Sequence, residues 1–335
     1  MLKCYTFAMK LELLSIIANL YNLPKIRFIS QVTEGFLSFN FILMHGDTKY
    51  FLKQYVTADE ARVREIHGVY LFLSKQGIPV IVPIQNKNNT DSFQFQKAQY
   101  ALFPYVEGIK IARKDLSKDL FKNMGEMLAR IHLCGKGYQG ARKRQNRFDK
   151  EKFYMRLEKV LPLIEADKAK TNFGKLAHSS VVLRKSIIET NPFVKENVDL
   201  PNDHLIHGDY HNDNMFFNAN SDIEFIFDLD KTEVGPRVFE LVRSVMYVCF
   251  DSAFEDQNFE NARTYLSAYR SLYPISDEEV RKGMIMLFFT KIQSMWIERM
   301  HYLDNNVRVD HFLEKEIILL DYLKDNFNIF LKKIK

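Results

Sequence analysis

The densest chemistry in the chain is the octet His207-Gly208-Asp209-Tyr210-His211-Asn212-Asp213-Asn214. Asp209 and Asn214 offer a carboxylate and a neutral amide oxygen. A further carboxylate, Asp228, closes the apolar run Ile223-Glu-Phe-Ile-Phe227. Phosphoryl transfer asks for such a set: a carboxylate beside the attacking hydroxyl, oxygen ligands for a metal ion, and a cation on the donor phosphates. Magnesium takes hard oxygen donors and keeps several waters, so one carboxylate and one amide suffice as its protein ligands. The cation is expected at Lys53, in Tyr50-Phe-Leu-Lys53-Gln-Tyr, with Glu65 of the next helix holding it by an ion pair. Glu60 is the competing partner. His207 is expected to brace the loop backbone, and His211 to do the same or to approach the phosphates. Asp230 reads as a supporting acid or a turn residue. Glu240 reads as an acid near a helix start that steadies the loop, with Arg243 paired to it at i+3.

These groups need elements to position them. Helical periodicity over 3–22 ends at Asn22-Leu-Pro24. Apolar runs at 26–32, 36–44 and 49–56, separated by Gly35 and by His45-Gly46-Asp47, predict an antiparallel meander. A helix over 58–76 follows, capped near Thr57 and stopped at Gly77. Two more strands fit 80–84 and 98–103. Beyond Gly108 the pattern is helical, at 115–134, 151–165, 172–190, 237–250, 257–273, 277–303 and 310–332. The exception is 204–230, a strand-loop-strand island around the octet. The fold class is therefore α+β. No internal repeat and no low-complexity tract is present.

Composition narrows the function classes. The 335 residues are 47% hydrophobic and 27% charged, enough for a large packed core. Lys and Arg number 47 against 42 Asp and Glu, a net charge of +5. That excess is mild and spread out, so no nucleic-acid partner is expected. Three separated cysteines lack any disulfide or zinc spacing, and a reducing cytoplasm is the expected compartment. No apolar run is long enough for a membrane span.

The octet, the Asp228-Leu-Asp230 turn and Gly235-Pro236 together resemble the aminoglycoside phosphotransferase and choline kinase family, small-molecule relatives of protein kinases. Within it, Asp-Leu-Asp followed by Gly-Pro is most similar to the branch of stress response kinase A, CotS-like spore-coat proteins and type II homoserine kinases. The resemblance covers about residues 25–300. It implies a bilobal protein-kinase-like fold: a nucleotide-binding lobe over 1–104, a hinge over 105–108 and a helical lobe over 109–335. It implies ATP and Mg2+ as cofactors, Asp209 as the catalytic residue, and Asn214 and Asp228 as metal ligands. Lys53, held by Glu65, would contact the donor phosphates. Gly35 and Ser38 would lie in the hairpin covering them, which departs from a triple-glycine loop. Phe103 would wall the adenine pocket, with the carbonyl of Pro104 and the amide of Val106 meeting the base. Proline at 104 keeps the carbonyl that accepts and lacks only an N–H.

The acceptor is expected to be a small-molecule hydroxyl: an amino alcohol, amino acid, sugar or aminoglycoside. His211, Asp230, Trp296 and Glu298 are the candidate lining residues. Trp296 reads equally well as a core residue. A Ser/Thr protein kinase and a non-catalytic nucleotide-binding protein are the alternatives.

Overall fold

A computed structural model describes residues 7–32, 40–55, 58–145, 149–196 and 198–335. The expected phosphate-covering residues Gly35 and Ser38, and Thr57, lie outside them. Helix α1 (Phe7–Leu20) leads into β1 (Arg27–Val32), β2 (Asn40–His45) and β3 (Thr48–Tyr55). Helix α2 (Glu60–Lys75) comes next, then β4 (Phe93–Phe95) and β5 (Ala98–Pro104). The five strands form one antiparallel sheet in the order β1-β2-β3-β5-β4. Side chains alternate across a strand, so Leu52 and Leu102, which are register partners, meet Leu13 and Ile17 of α1 on one face. Ala101 and Phe103 pack with Val63, Ile66 and Val69 of α2 on the other. Lys53 pairs with Ala101 in register and so shares the α2 face.

The meander and α2 follow the pattern read from sequence, with two differences. The start of α2 is capped by Asp59, whose carboxylate accepts from the Arg62 amide at 2.8 Å. The run 80–84 is not a strand; Val80 makes a single parallel bridge to Ile226. Pro79 precedes that run and Pro83 lies within it, and neither supplies an N–H to a ladder. The fifth strand is instead β4, three residues too short to show a period.

The remainder is mostly helical: α3 (Lys118–Cys134), α4 (Lys150–Asp167), α5 (Asn172–Thr190), α6 (Arg237–Val245), α7 (Asp256–Leu272), α8 (Asp277–Ile292), α9 (Trp296–Tyr302) and α10 (His311–Lys333). Between α5 and α6 lie β6 (His204–Ile206), β7 (Met215–Phe217), β8 (Ile223–Ile226) and β9 (Glu233–Gly235), paired β6 with β9 and β7 with β8. Helices α3 and α7 approach closely because Gly125 has no side chain; a Cβ there would sit 2.4 Å from the Tyr265 carbonyl oxygen. Arg113–Asp115 forms a separate 3-10 turn ahead of α3, which begins after its Ser117 cap.

Two helices differ from the expected lengths. The segment 237–250 is α-helical only to Val245, and Met246–Phe250 is a π-helical turn. The expected helix 277–303 breaks after Ile292 and restarts at Trp296. Arg156 binds the Gln293 carbonyl at 2.8 Å at the break. Met295 and Ile297 then turn into a cluster with Phe153, Val160 and Val181 of α4 and α5.

Candidate active site

The octet spans the connection from β6 to β7. Gly208 has φ +81, and a Cβ on it would fall 2.2 Å from the Lys231 carbonyl oxygen, so only glycine fits this turn. Two side chains fix the loop from behind. His207 Nε2 donates to the Phe227 carbonyl at 3.0 Å, while its Nδ1 accepts from the Asp209 amide at 3.2 Å. This pattern requires the neutral ring, and burial pushes the His207 pKa down. Glu240 of α6 accepts from the His207 and Gly208 amides at 2.8 and 2.5 Å and meets His132 at 3.0 Å. Its carboxyl is held below the usual range: burial opposes ionisation, and His132, His207 and the amide hydrogen bond outweigh it.

Asp209 is mostly buried and faces three groups. Its Oδ1 accepts from Arg243 at 2.5 Å, its Oδ2 accepts from Lys231 at 2.7 Å, and His211 lies at 3.6 Å. Burial opposes its ionisation, but His211, Arg243 and Lys231 together hold it far below the usual carboxylate range. Arg243 thus serves Asp209 and does not form the expected pair with Glu240. Asn214 donates from its amide nitrogen to the Asp209 carbonyl at 2.9 Å, which leaves Oδ1 as the atom that can meet a cation.

A second cluster gathers on β3. Lys53 Nζ, on a nearly buried side chain, donates to Asp228 Oδ1 at 2.9 Å and to Asp230 Oδ1 at 2.6 Å. Burial lowers the lysine pKa, but the two carboxylates outweigh it and hold the ammonium charged. Asp228 is pulled down chiefly by Lys53, whereas burial beside Asp228 leaves Asp230 raised. Asp228 also adopts the left-handed conformation, φ 63 and ψ 57, which a non-glycine residue keeps only under constraint. Two carboxylates on one lysine leave an excess of negative charge. Asn214 adjoins this strand end through its backbone carbonyl, which accepts from the Phe227 amide at 3.1 Å, so carboxylate and amide oxygens of the kind a hard divalent cation takes stand on adjoining segments.

The expected ion-pair partners of Lys53 are elsewhere. Glu65 pairs with Arg62 at 3.0 Å and accepts from the Arg142 amide, and Glu60 lies 3.5 Å from Arg64. The same Arg62 guanidinium also donates to the Asp230 and Thr232 carbonyls at 2.9 and 2.6 Å. Helix α2 therefore grips the Asp228–Asp230 turn through Arg62 and leaves Lys53 to the two aspartates.

Comparison with known proteins decides the class. The sequence profile of the phosphotransferase enzyme family matches residues 29–275. The chain belongs to this family. As a member it is a phosphotransferase, with a hydroxyl group as acceptor. A homoserine kinase from Gluconobacter oxydans is 23% identical over 276 residues, covering 80% of each chain. The structure of an amicoumacin kinase in complex with AMP-PNP and Ca2+ superposes with a TM-score of 0.66 at 16% identity, covering 93% of both chains. A microcompartment-associated aminopropanol kinase superposes with a TM-score of 0.62 at 12% identity, covering 97% of this chain and 100% of that one. The bilobal kinase-like α+β architecture is thus the fold of this phosphotransferase, with the sheet in the small lobe and the octet in the helical one.

The remaining site expectations divide. Phe103 shares the Lys53 face of the sheet, its ring 6.1 Å from that of His67 and 5.8 Å from that of Tyr70. Pro104 ends β5 opposite Tyr50, with Val106 just beyond it, half-buried. His211 stands beside Asp209, whereas Asp230 belongs with Lys53. Glu298 is not a lining residue. It is fully buried, bonded to Ser180 at 2.9 Å and 3.6 Å from Arg184, because the restart of α9 turns it inward. Trp296 is 38% exposed and packs on Phe312 with ring centroids 5.8 Å apart. No described helix of this phosphotransferase is long and apolar enough to cross a membrane. Arg62, Lys231 and Arg243 are the residues that sequence reasoning did not bring to the site. Arg243 carried a signal, its place one turn after Glu240 and thus near the loop; Arg62 and Lys231 carried none.

Proposed function

We propose that the chain moves the γ-phosphate of ATP, with Mg2+, onto a hydroxyl of a small molecule in the cytoplasm, with no nucleic-acid or membrane partner. The observation that carries this reading is the pairing of two unlike clusters. Asp228 and Asp230 offer oxygens beside Lys53, and Asn214, whose backbone carbonyl accepts from the Phe227 amide at 3.1 Å and whose side chain donates to the Asp209 carbonyl, links that strand end to the loop of Asp209. Residues 1–104 then act as the nucleotide lobe, 105–108 as the hinge and 109–335 as the acceptor lobe. The Pro104 carbonyl and Val106 amide meet adenine, and Phe103 backs the pocket.

In this reading Asn214 and Asp228 would hold Mg2+, which would neutralise charge developing on the transferred group. Lys53 contacts the donor phosphates, and its two aspartates keep it charged and aimed. Asp209 accepts the hydrogen bond of the acceptor hydroxyl and orients its oxygen. Its low proton affinity makes orientation its main task, with the proton leaving late, as a loose transition state permits. Catalysis is then mostly positioning and charge neutralisation. Homoserine kinase relatives support a small hydroxylated amino acid, and the aminopropanol kinase neighbour supports an amino alcohol.

The test is ADP release with ATP and Mg2+ across a panel of amino acids, amino alcohols, sugars and aminoglycosides. The expected result is acceptor-dependent turnover that is lost in Asp209→Ala. Asp209-dependent label transfer to added protein, with none of the panel turning over, would replace it with the protein-kinase reading. Tight ATP binding with no transfer to any acceptor would leave a nucleotide-binding protein.

A further inference from the structure

The chain that leaves α3 is not a plain connection. Gly135 to Arg144 reads Gly-Lys-Gly-Tyr-Gln-Gly-Ala-Arg-Lys-Arg, the composition of a linker. It is nonetheless bonded at both ends. The Gly135 carbonyl accepts from the Leu205 amide at 2.9 Å, and the Gly137 amide donates to the Asp203 carbonyl at 2.7 Å, beside β6. At the far end the Arg142 carbonyl accepts from the Val234 amide at 2.8 Å, and the Arg144 amide donates to the Val234 carbonyl at 2.7 Å, beside β9. The Arg144 guanidinium pairs with Glu233 and lies 4.1 Å from the centre of the Phe239 ring. Strand β6 leads into the octet, and β9 leads out of the Asp228–Asp230 turn.

Between these ends the segment crosses to α2. The Tyr138 ring packs on Phe72 with centroids 4.6 Å apart, and its hydroxyl lies over Gly68. The Arg142 amide donates to Glu65. Burial and the Glu65 carboxylate push the Tyr138 phenol up. Glu65, Gly68 and Phe72 are spaced three and four apart, so they share one stripe of the helix. Arg62, one turn earlier on that stripe, pairs with Glu65 at 3.0 Å and holds the Asp230 and Thr232 carbonyls. A series of contacts thus leads from the segment through Glu65 and Arg62 to the turn that carries both partners of Lys53.

We propose that residues 135–144 form a positioning strap. It ties α2 of the small lobe to β6 and β9 of the helical lobe, and through Arg62 it fixes where Asp228 and Asp230 meet Lys53. Glu65 is the anchor of the strap and not the counter-ion of Lys53. The donor at this anchor is a backbone amide, so a glutamine can accept in place of the carboxylate. A counter-ion has no such tolerance, because it needs the charge. The effect of the strap on nucleotide binding rests on the phosphotransferase reading above, whereas its hold on α2 does not.

Two measurements on the full chain test the strap. Amide hydrogen exchange reads the hold on α2 without any ligand. Tyr138→Ala and Glu65→Ala should speed exchange about tenfold across 60–75 and 228–232, the scale of one lost charge-assisted hydrogen bond. Exchange in α7 and α10 should not change, and Glu65→Gln should stay close to wild type. Calorimetry with AMP-PNP and Mg2+ reads the nucleotide site. The two alanine variants should bind about tenfold more weakly, and Glu65→Gln within about threefold of wild type. Gly140→Ala is a second route to release, because its Cβ would sit 2.5 Å from the Tyr138 hydroxyl and displace the ring, so it should match Tyr138→Ala. Equal losses in Glu65→Gln and Glu65→Ala would overturn the anchor role in favour of the ion pair. Unchanged exchange of α2 in Tyr138→Ala and Gly140→Ala, or a rise spread over the whole chain, would overturn the strap. If the wild type does not bind AMP-PNP, the phosphotransferase reading fails while hydrogen exchange still decides the strap.

Discussion

The two charged clusters of this enzyme are built in opposite ways. At Lys53 one cation serves two carboxylates, Asp228 and Asp230. At Asp209 one carboxylate serves two cations, Arg243 and Lys231. The first is short of positive charge, which a divalent ion would supply. At the second, Glu240 also acts on Arg243 and Asp213 stands 3.6 Å from His211, so its cations are matched nearby. Each cluster is thus internally paired, and only the first has an excess that a bound ion would relieve. A buried pair alone says little about stability, because desolvation offsets the attraction.

Substitutions can break this contrast. Asp228→Ala should have the largest effect, removing the proposed metal ligand and turning the carboxylate excess into balance. Turnover should fall by about 10³-fold or more, the scale seen when charge stabilisation in the transition state is lost. Unchanged magnesium dependence would remove its role. Asp209→Ala should lower kcat at least about 10²-fold with ATP binding nearly unchanged, the usual scale for a residue acting on the reacting proton. A near-wild-type kcat would sink that assignment. Arg62→Met should act more weakly, about tenfold on kcat, through loss of one charge-assisted hydrogen-bonded grip on the Asp230 turn. Its acceptor KM should stay constant, and a selective change in acceptor KM would place Arg62 in a different role.

The smallest expected effect concerns the loop's support. His132 and His207 have lowered pKa values through burial, and burial brings His204 down to about 4. The folded protein therefore binds fewer protons here than the unfolded chain. Stability should fall as pH drops from about 6.5 toward 4, and be fully present above the unfolded histidine value. Chemical denaturation across that range checks the sign. A midpoint that rises on acidification would show that these rings charge in place.

Much of the architecture is legible in the chain. Apolar runs separated by turn residues predict β1 to β3, and helical periodicity places the starts of α3 and α8 within a few residues. The failures share a cause. The run 80–84 has the right side chains but lacks an N–H at Pro83. The break at 293–295 carries no glycine or proline, and the packing of Met295 and Ile297 against α4 and α5 accompanies it. That break decides the fate of Glu298, which a continuous helix assigned to the acceptor.

The octet was recognisable because its chemistry is local. Gly208, His207 and Asn214 shape one loop through bonds between residues near in sequence or to the next strand, and short-range geometry follows from short-range sequence. Which cation meets which carboxylate was not readable in that way. Lys53 had a glutamate a dozen residues ahead, yet its partners lie 175 and 177 positions away. Coulomb attraction has no preferred sequence separation. Only the packing of α2 and α6 around the octet determined whether Arg62, Arg243 and Glu65 became part of the site or its frame.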